Sequence, residues 1–381
     1  MSGGERTRDA GFRGEGARGE STRGEGTGGE STRGSVAAKL LARLQAGEHL
    51  AYDEAHRLLH ALADEEIAGD AAGELLLALK AKGEHAEEVR GFAEAMLERA
   101  RRPEIDPALR VLDVVGTGGD GSHSVNISTG SALLAAACGI PVLKHGNRSV
   151  SSKSGSADVL ETLGFRLDLD PEAAGTCLAR SGFSFLMAPH YHPAMKALVP
   201  VRRALKTRTV FNMLGPLVNP ARPPFLLTGA YSLEAARLMA DTLAGMELER
   251  AFVIHGDPGW DEATPIGPYV MFDVGPGQVE ERREDPADFG FARCSAEALR
   301  GGDAAENAAA MRRVFDGEPG AHRDALVLNV ALALQLTGEV AAVADGVARA
   351  NAAIDQGDAA KLLRQSAACS RELHAAAGGA A

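Results

Sequence analysis

Residues 111–129 read VLDVVGTGGDGSHSVNIST, and the stretch after the glycines decides the fold. VLDVV, Val111 to Val115, reads as a short apolar strand. Gly116 to Gly121, GTGGDG, fits the GxGxxG spacing of a dinucleotide-binding turn. Such a turn opens its helix within the glycines and carries an acid about 20 residues later for the ribose. Here Ser122 to Thr129 intervenes before a helix, and residues 121–157 contain no Asp or Glu at all. In a chain with 52 acidic and 40 basic residues, net −12, so long an acid-free window marks an anion site of a different kind.

The window is dense in Gly, Ser, Thr and Asn, and it holds His123, Lys144, His145, Arg148 and Lys153. Ser128 and Thr129 stand where the helix starts, so free backbone N–H groups and the helix dipole attract an anion there. A second apolar strand, IPVLK, opens into Lys144-His145-Gly146-Asn147-Arg148, followed by Ser149, Ser151, Ser152, Ser154 and Ser156. Two polar loops at strand ends of one sheet predict a ligand with more than one phosphate group. Asp261 and Glu262 follow another apolar strand. Adjacent carboxylates there suit Mg²⁺ bridging to phosphate if their loop faces the other two; otherwise they are turn and capping acids.

Outward from these loops the chain alternates strands (FSFLM, PFLLTGAY, RAFVIHG, YVMFDV) with helices, which predicts an α/β domain with a mostly parallel central sheet. Residues 36–107 hold four helical stretches: VAAKLLARLQAG, EAHRLLHALADEEIAG, DAAGELLLALKAKG and HAEEVRGFAEAMLERA. They predict a small all-helical domain packed on the larger one. Leu75 to Leu77 and Leu79 read as packing or as a homodimer seam. Met195 to Gly215 is helical and basic, so the segment 195–220 is predicted to join the helical domain. The α/β domain then comprises 108–194 and 221–370, with 371–381 as a flexible tail. Residues 1–35 carry a ten-residue repeat, RGEGARGEST then RGEGTGGEST, with as many acids as arginines. They read as a disordered low-complexity tail.

The 381-residue chain is 45% hydrophobic and 4% aromatic. Its acidic balance and scarce aromatics argue against a nucleic-acid-binding role. No apolar run approaches the roughly 20 residues of a membrane helix, and the Gly-, Glu- and Arg-rich N-terminus does not read as a signal peptide. Cys138, Cys177, Cys294 and Cys369 have no CxxC spacing, so they read as free thiols of the reducing cytoplasm and not as a zinc site.

Taken together, the motifs GTGGDGSHSVNIST, KHGNRSVSSKSGSADVLE, FLMAPHYHPAMK, VRRALKTRTVFNMLGPLVNP and HGDPGWDEATPIGP resemble the anthranilate phosphoribosyltransferase family. RGGDAAENAA and RDALVLNVALAL do so as well, and the resemblance covers about Val36 to Leu363. GTGGD alone is shared with pyrimidine nucleoside phosphorylases; KHGNR with NMLGPLVNP is not. The resemblance implies a helical domain on an α/β domain, and transfer of phosphoribose from 5-phosphoribosyl 1-pyrophosphate to anthranilate, a step of tryptophan biosynthesis. It implies donor contacts at Gly116, Gly119, Asp120, Ser124, Asn126, Ile127, Ser128, Thr129, Lys144, His145, Gly146, Asn147, Arg148, Ser149, Val150, Ser151, Ser152 and Ser156. It places anthranilate at Gly116, Asn147 and Arg202, and Mg²⁺ at Ser128, Asp261 and Glu262. No residue is implied as nucleophile; Asp120, Lys144 and His145 assist at most. His145 and His192 are open between proton transfer and ring packing or structural hydrogen bonding. The long N-terminal tail and Trp260 depart from the family pattern.

Overall fold

The structure, a computed structural model, describes residues 27–149 and 153–378, without the side chains of 27–35 and 378. Four helices come first: α1 (Thr27–Gln45), α2 (Tyr52–Ala63), α3 (Gly69–Lys82) and α4 (Ala86–Glu98). Residues 1–26 of the expected tail lie outside the described residues, but 27–35 are helical, which corrects the boundary at 35. Leu44 is buried and Leu40 and Leu41 pack against the same cluster, so the second half of α1 is anchored. The helix runs back from that nucleus through 27–35, which contain no proline to stop it, although Gly28, Gly29 and Gly34 each disfavour it by about 1 kcal/mol relative to alanine.

The α/β part runs β1 (Leu112–Gly116), α5 (Ile127–Ala137), β2 (Val142–Gly146), α6 (Ser156–Thr162), α7 (Pro171–Ser181) and β3 (Phe183–Met187). After α8 (Ala188–Tyr191) and a 3₁₀ turn at Pro193–Leu198 come α9 (Val199–Leu205) and α10 (Phe211–Leu217). The chain returns through β4 (Phe225–Gly229), α11 (Leu233–Ala244), β5 (Arg250–Gly256), β6 (Tyr269–Gly275) and β7 (Gln278–Glu284). It finishes with α12 (Ala304–Phe315), α13 (Ala321–Leu336), α14 (Val343–Asp355) and α15 (Asp358–Gly378).

The seven strands form one sheet in the order β3-β2-β1-β4-β5-β6-β7. The first five are parallel, and β6 and β7 pair antiparallel at one edge. From β1 the chain builds outward to β2 and β3, then crosses back from β3 to lay β4 on the other side of β1. Their C-terminal ends therefore splay at the switch point where an open α/β sheet takes its ligand.

Side-chain alternation builds the two faces. Leu227, Phe252 and Ile254 face the cluster shared with α5, α13 and α15. Leu226, Ala251 and Val253 face the cluster that includes Leu58, Leu62, Phe92, Phe211 and Met239. One apolar cluster thus runs from the N-terminal helices into the sheet. The segment 195–215 is not the single helix expected: Lys206 adopts φ 47°, a left-handed turn that separates α9 from α10. α9 packs on α3 and α10 on α4.

The expected tail 371–381 is corrected over 371–378, where α15 continues. Arg371 Nη1 donates to the Gly164 carbonyl at 2.6 Å, and Arg180 pairs with Glu372 at 2.8 Å. Leu373 packs beside the buried Cys177 and Tyr191. Residues 379–381 lie outside the described residues.

Candidate active site

The loop after β1 requires its glycines. Gly118, Gly119 and Gly121 take φ of 65°, 70° and 81°. Asp120 Oδ1 accepts from the Ser122 amide at 3.0 Å and its hydroxyl at 2.8 Å, closing the turn. The far side of the loop is held from the end of the chain. Val125 N donates to the Leu299 carbonyl at 3.0 Å, and Gly301 N donates to that of His123 at 2.8 Å. Buried Asn307 donates to Asn126 Oδ1 at 2.8 Å, and Asn126 in turn donates to the Ser154 carbonyl at 3.3 Å. Asn307 therefore links the first loop to the serine-rich one.

Asp261 and Glu262 lie across the sheet's C-terminal edge, against the first loop. β1, β4 and β5 each end in glycine there, and a Cβ at Gly116, Gly229 or Gly256 would strike Asp261 or the Asp261 and Glu262 carbonyls. Asp261 Oδ2 accepts from Gly118 N at 2.6 Å, and its own amide donates to Asp120 Oδ2 at 3.3 Å. Glu262 accepts from Ser128 N, at the start of α5, at 3.1 Å, and from the Ser124 hydroxyl at 3.4 Å. Trp260 is buried in the core beneath, its amide donating to the Gly256 carbonyl at 2.8 Å, and Asn329 Nδ2 donates to the Ala263 carbonyl at 2.8 Å. Trp260 thus roots the loop and leaves Asp261 and Glu262 in place.

Burial, then the nearby Asp120, pushes Asp261 up to about 7. Burial, then Asp261, raises Glu262 well above the carboxylate range. Three converging carboxylates, Asp261 buried and Asp120 and Glu262 partly so, suit a hard divalent cation, since each anionic carboxylate has about four lone-pair sites and these bonds use only part of them. The residues fit Mg²⁺.

Lys144 and His145 leave the end of β2 into a buried polar layer. Lys144 Nζ donates to the Val114 carbonyl and lies 3.5 Å from the Ser128 hydroxyl. Burial lowers its pKa to about 8 against the opposing pull of Asp113, Glu262 and Asp261. Asp113 corrects the reading of VLDVV as apolar throughout. It is wholly buried, accepts from His145 N at 3.2 Å and Asn219 Nδ2 at 2.9 Å, and burial raises it to about 6. His145 Nδ1 donates to the Gly215 carbonyl at 3.2 Å and His192 Nε2 to that of Val218 at 2.9 Å. A carbonyl only accepts, so these contacts fix where each ring carries its proton.

The second loop departs from an open anion cradle. Asn147 keeps its place: its carbonyl accepts from the Ser156 hydroxyl at 3.1 Å and from Ala157 N at 3.3 Å. The guanidinium of Arg148, however, is held by Glu161 at 2.6 and 2.7 Å and by Asp158 at 3.0 Å. Asp158 also takes the amides of Gly155 at 2.8 Å and Ser149 at 3.3 Å. The acids that end the acid-free window thus hold Arg148, Ser149 and Gly155 at the loop's two flanks. Val150, Ser151 and Ser152 lie outside the described residues. Arg202, on α9, is exposed with its guanidinium 5.2 Å from the Phe211 ring centroid, and no hydrogen bond joins it to either loop among the described residues.

The structure therefore joins Gly116, Gly118, Asp120, Ser124, Ser128, Lys144, Asp261 and Glu262 into one network, with Gly119, Ile127, Thr129 and Gly146 in its backbone. Sequence reasoning missed Asp113, Asn219, Asn307 and Arg208. The last donates to the Gly119 carbonyl and lies 4.0 Å from the Tyr231 ring centroid, so it straps the glycine loop to the α9–α10 turn. An acid within an apolar strand was the signal for Asp113; the others hold positions that only the tertiary fold makes meaningful.

Residues 108–360 match the glycosyl transferase family, a/b domain, and residues 38–100 match its helical bundle domain. The chain is 43% identical over 334 residues to the anthranilate phosphoribosyltransferase of Azorhizobium caulinodans, covering 88% of this chain and 96% of that one. It is 45% identical over 323 residues to that of Desulforudis audaxviator, covering 85% and 93%. Among solved structures, anthranilate phosphoribosyltransferase from Thermus thermophilus superposes with a TM-score of 0.82 at 40% identity over 87% of this chain and 99% of that one. The Saccharomyces cerevisiae enzyme in complex with PRPP and Mg also gives 0.82, at 26% identity over 90% and 99%. A glycine loop, a lysine-histidine loop and an Asp-Glu turn meeting at the switch point of this sheet agree with those likenesses, and the chain belongs to the anthranilate phosphoribosyltransferase family.

Proposed function

We propose that this chain transfers the phosphoribosyl group of 5-phosphoribosyl 1-pyrophosphate to the amine of anthranilate, releasing pyrophosphate, in tryptophan biosynthesis. The observation that carries this is the meeting of the acid-free loop after β1 with Asp261 and Glu262 at the α5 N-terminus. The donor would lie over Gly116, Gly119, Asp120, Ser124 and Asn126 to Thr129, then along Lys144 to Ser152 and Ser156. Gly116, Asn147 and Arg202 would hold anthranilate, between the α/β body and a helical unit that takes in 195–220.

The C1–O bond breaks with positive charge growing on the sugar and negative charge on the leaving pyrophosphate. Ser128, Asp261 and Glu262 would hold Mg²⁺, which when bound neutralises pyrophosphate charge. The Gly118 and Ser128 amides now donate to Asp261 and Glu262, so they would have to leave these carboxylates to stabilise that charge as the leaving group develops. The aniline nitrogen has a free lone pair at neutral pH, so attack on C1 needs alignment and no strong base. Burial lowers His145 to about 3 and His192 to about 4, so both rings are neutral there. Their protons already serve the Gly215 and Val218 carbonyls, which favours positioning over proton transfer. Arg148 would have to exchange Glu161 for phosphate as the donor enters. A guanidinium at Arg202 suits the acceptor's lone carboxylate.

We also propose a homodimer through the N-terminal helices, because Val36, Leu77 and Val199 expose apolar surface on α3 and on α1 and α9, which both pack against it. A cytoplasmic setting is supported by four free cysteines. No helix among the described residues is long and apolar enough to cross a membrane.

Anthranilate fluorescence tests the reaction. It should fall only when donor and Mg²⁺ are both present, with pyrophosphate formed in equal amount. Arg202→Ala should raise the anthranilate KM by about tenfold or more, as loss of a charge-assisted bond of about 1.5–3 kcal/mol predicts, with little change for the donor. Phosphorolysis of a nucleoside with no consumption of anthranilate would reject the assignment.

A further inference from the structure

Away from the phosphate loops, the described residues bring a second set of metal-ligating side chains to one point. His56 and His60 stand one helical turn apart on α2, which stacks them on one face, with ring centroids 4.7 Å apart. Glu98, the last residue of α4, reaches the same point from the neighbouring helix. Its Oε2 lies 3.0 Å from His56 Nε2 and 3.3 Å from His60 Nε2. The three ligand atoms all fall within 4.8 Å of one another. The side chains are 23%, 30% and 50% exposed, so an ion reaches them without opening the fold.

We propose that His56, His60 and Glu98 form a binding site for a divalent transition-metal ion of the zinc type, separate from the Mg²⁺ of the reaction. A tetrahedral ion with bonds of about 2.0–2.1 Å holds its ligand atoms roughly 3.3–3.4 Å apart, close to both N···O separations. Two imidazoles and one carboxylate, with a fourth position left to water, is a zinc donor set. Mg²⁺ prefers oxygen ligands in octahedral geometry and is disfavoured here.

The same arrangement without an ion is a pair of hydrogen bonds from two rings to one carboxylate oxygen. Arg99 decides how readily one becomes the other. Its Nη1 lies 3.0 Å from His60 Nδ1 and 3.0 Å from Asp64 Oδ2. While Arg99 donates to Nδ1, His60 keeps its proton on Nε2. Binding a metal at Nε2 shifts that proton to Nδ1, and Arg99 withdraws onto Asp64, which already accepts from both of its terminal nitrogens. The ion would then pin α2 to α4 just before the chain crosses to the α/β body, where Arg101 N donates to the Tyr191 carbonyl at 2.8 Å.

The test is calorimetric titration of the full-length, chelator-treated protein with zinc chloride, in excess Mg²⁺ to occupy Asp261 and Glu262, paired with thermal unfolding. Wild type should take up one equivalent of Zn²⁺ with a rise in Tm. His56→Ala with His60→Ala should lose that equivalent, and Glu98→Gln, which keeps the side chain's shape, should weaken it about tenfold or more. Both variants should keep the wild-type circular dichroism and zinc-free turnover. Wild type taking up no Zn²⁺, or Glu98→Gln and the double variant binding it as tightly as wild type, overturns the proposal.

Discussion

At the scale of single residues, the edge-to-face pair His145 and His192, centroids 5.1 Å apart, contributes one of two opposing parts of the pH behaviour. Burial comes first in lowering both, and in His145 the neighbouring His192 adds to it. Their folded values of about 3 and 4 lie below the ordinary 6.5. The stability this gives is complete above pH 6.5 and is lost as pH falls through 4 and then 3. Asp113 and Asp261 work the other way: raised from 3.8 to about 6 and about 7, they favour the protonated native state and offset that loss between pH 7 and 4. The wild-type slope is therefore a difference, and a variant isolates the histidine part. Replacing both with Asn should flatten the fall in unfolding free energy below pH 6.5 by up to about two protons' worth of slope, measured as urea midpoints from pH 7 to 4. An unchanged slope would mean that these rings are hydrated in solution. His145 stood out in the sequence inside the acid-free window and His192 within FLMAPHYHPAMK. Their neutrality did not, because it comes from burial that only the tertiary fold creates, against the upward pull of the Gly215 and Val218 carbonyls from a distant segment.

At the scale of elements, the site is a meeting of strand ends, and glycine permits it. β4 stops at Gly229, over which the Asp261 backbone passes so closely that a Cβ would overlap its carbonyl. A strand end and a loop backbone pinned by the Gly118 and Asp120 hydrogen bonds cannot yield as a flexible side chain does. Gly229→Ala should therefore lower kcat and Mg²⁺ response together and cost about 1–3 kcal/mol of stability, the usual penalty of overpacking. Gly275→Ala, at a strand end with nothing within 4 Å of the added methyl, is the control and should stay within about 0.5 kcal/mol of wild type. Equal effects from the two would remove the seat from the explanation. Strands β1 to β6 were legible because they are apolar runs bounded by glycine, proline or charge. β7, QVEERRE, was not: it is an edge strand with charges along it, and its backbone pairing is joined by contacts from Glu284 to Tyr269 and from Arg282 to Asp273 on β6. The break between α9 and α10 was likewise hidden, since Lys206 carries no turn signal and only packing against α3 and α4 fixes its angle. The loops' ligand character was readable from residue type, whereas Arg148 pairing with Glu161 required the fold.

At the scale of the molecule, the helical and α/β parts share one apolar cluster across the sheet, so the interdomain surface is a continuation of the core. The side chains left outside that cluster are informative. Among the described residues four large apolar side chains are exposed, and Val36 at 49%, Leu77 at 42% and Val199 at 45% sit on α1, α3 and α9. α3 packs against both of the others, so the three side chains stand on adjoining helices of the helical unit. The fourth, Leu233, lies at the start of α11. Scattered exposed leucines need no explanation, but apolar residues gathered on adjoining helices call for a partner surface. A second copy supplies one, because a two-fold axis lets each patch meet itself. Leu77→Glu with Val199→Glu places four acidic charges at such a seam per dimer. The double variant should run as a monomer by light scattering at concentrations where wild type runs as a dimer. Its thermal midpoint should become independent of protein concentration, as mass action requires once the partner is lost. Neither side chain belongs to the donor or acceptor loops, so the monomer should still deplete anthranilate fluorescence. A wild type that is already monomeric across that range would leave the patch without a second copy to cover it.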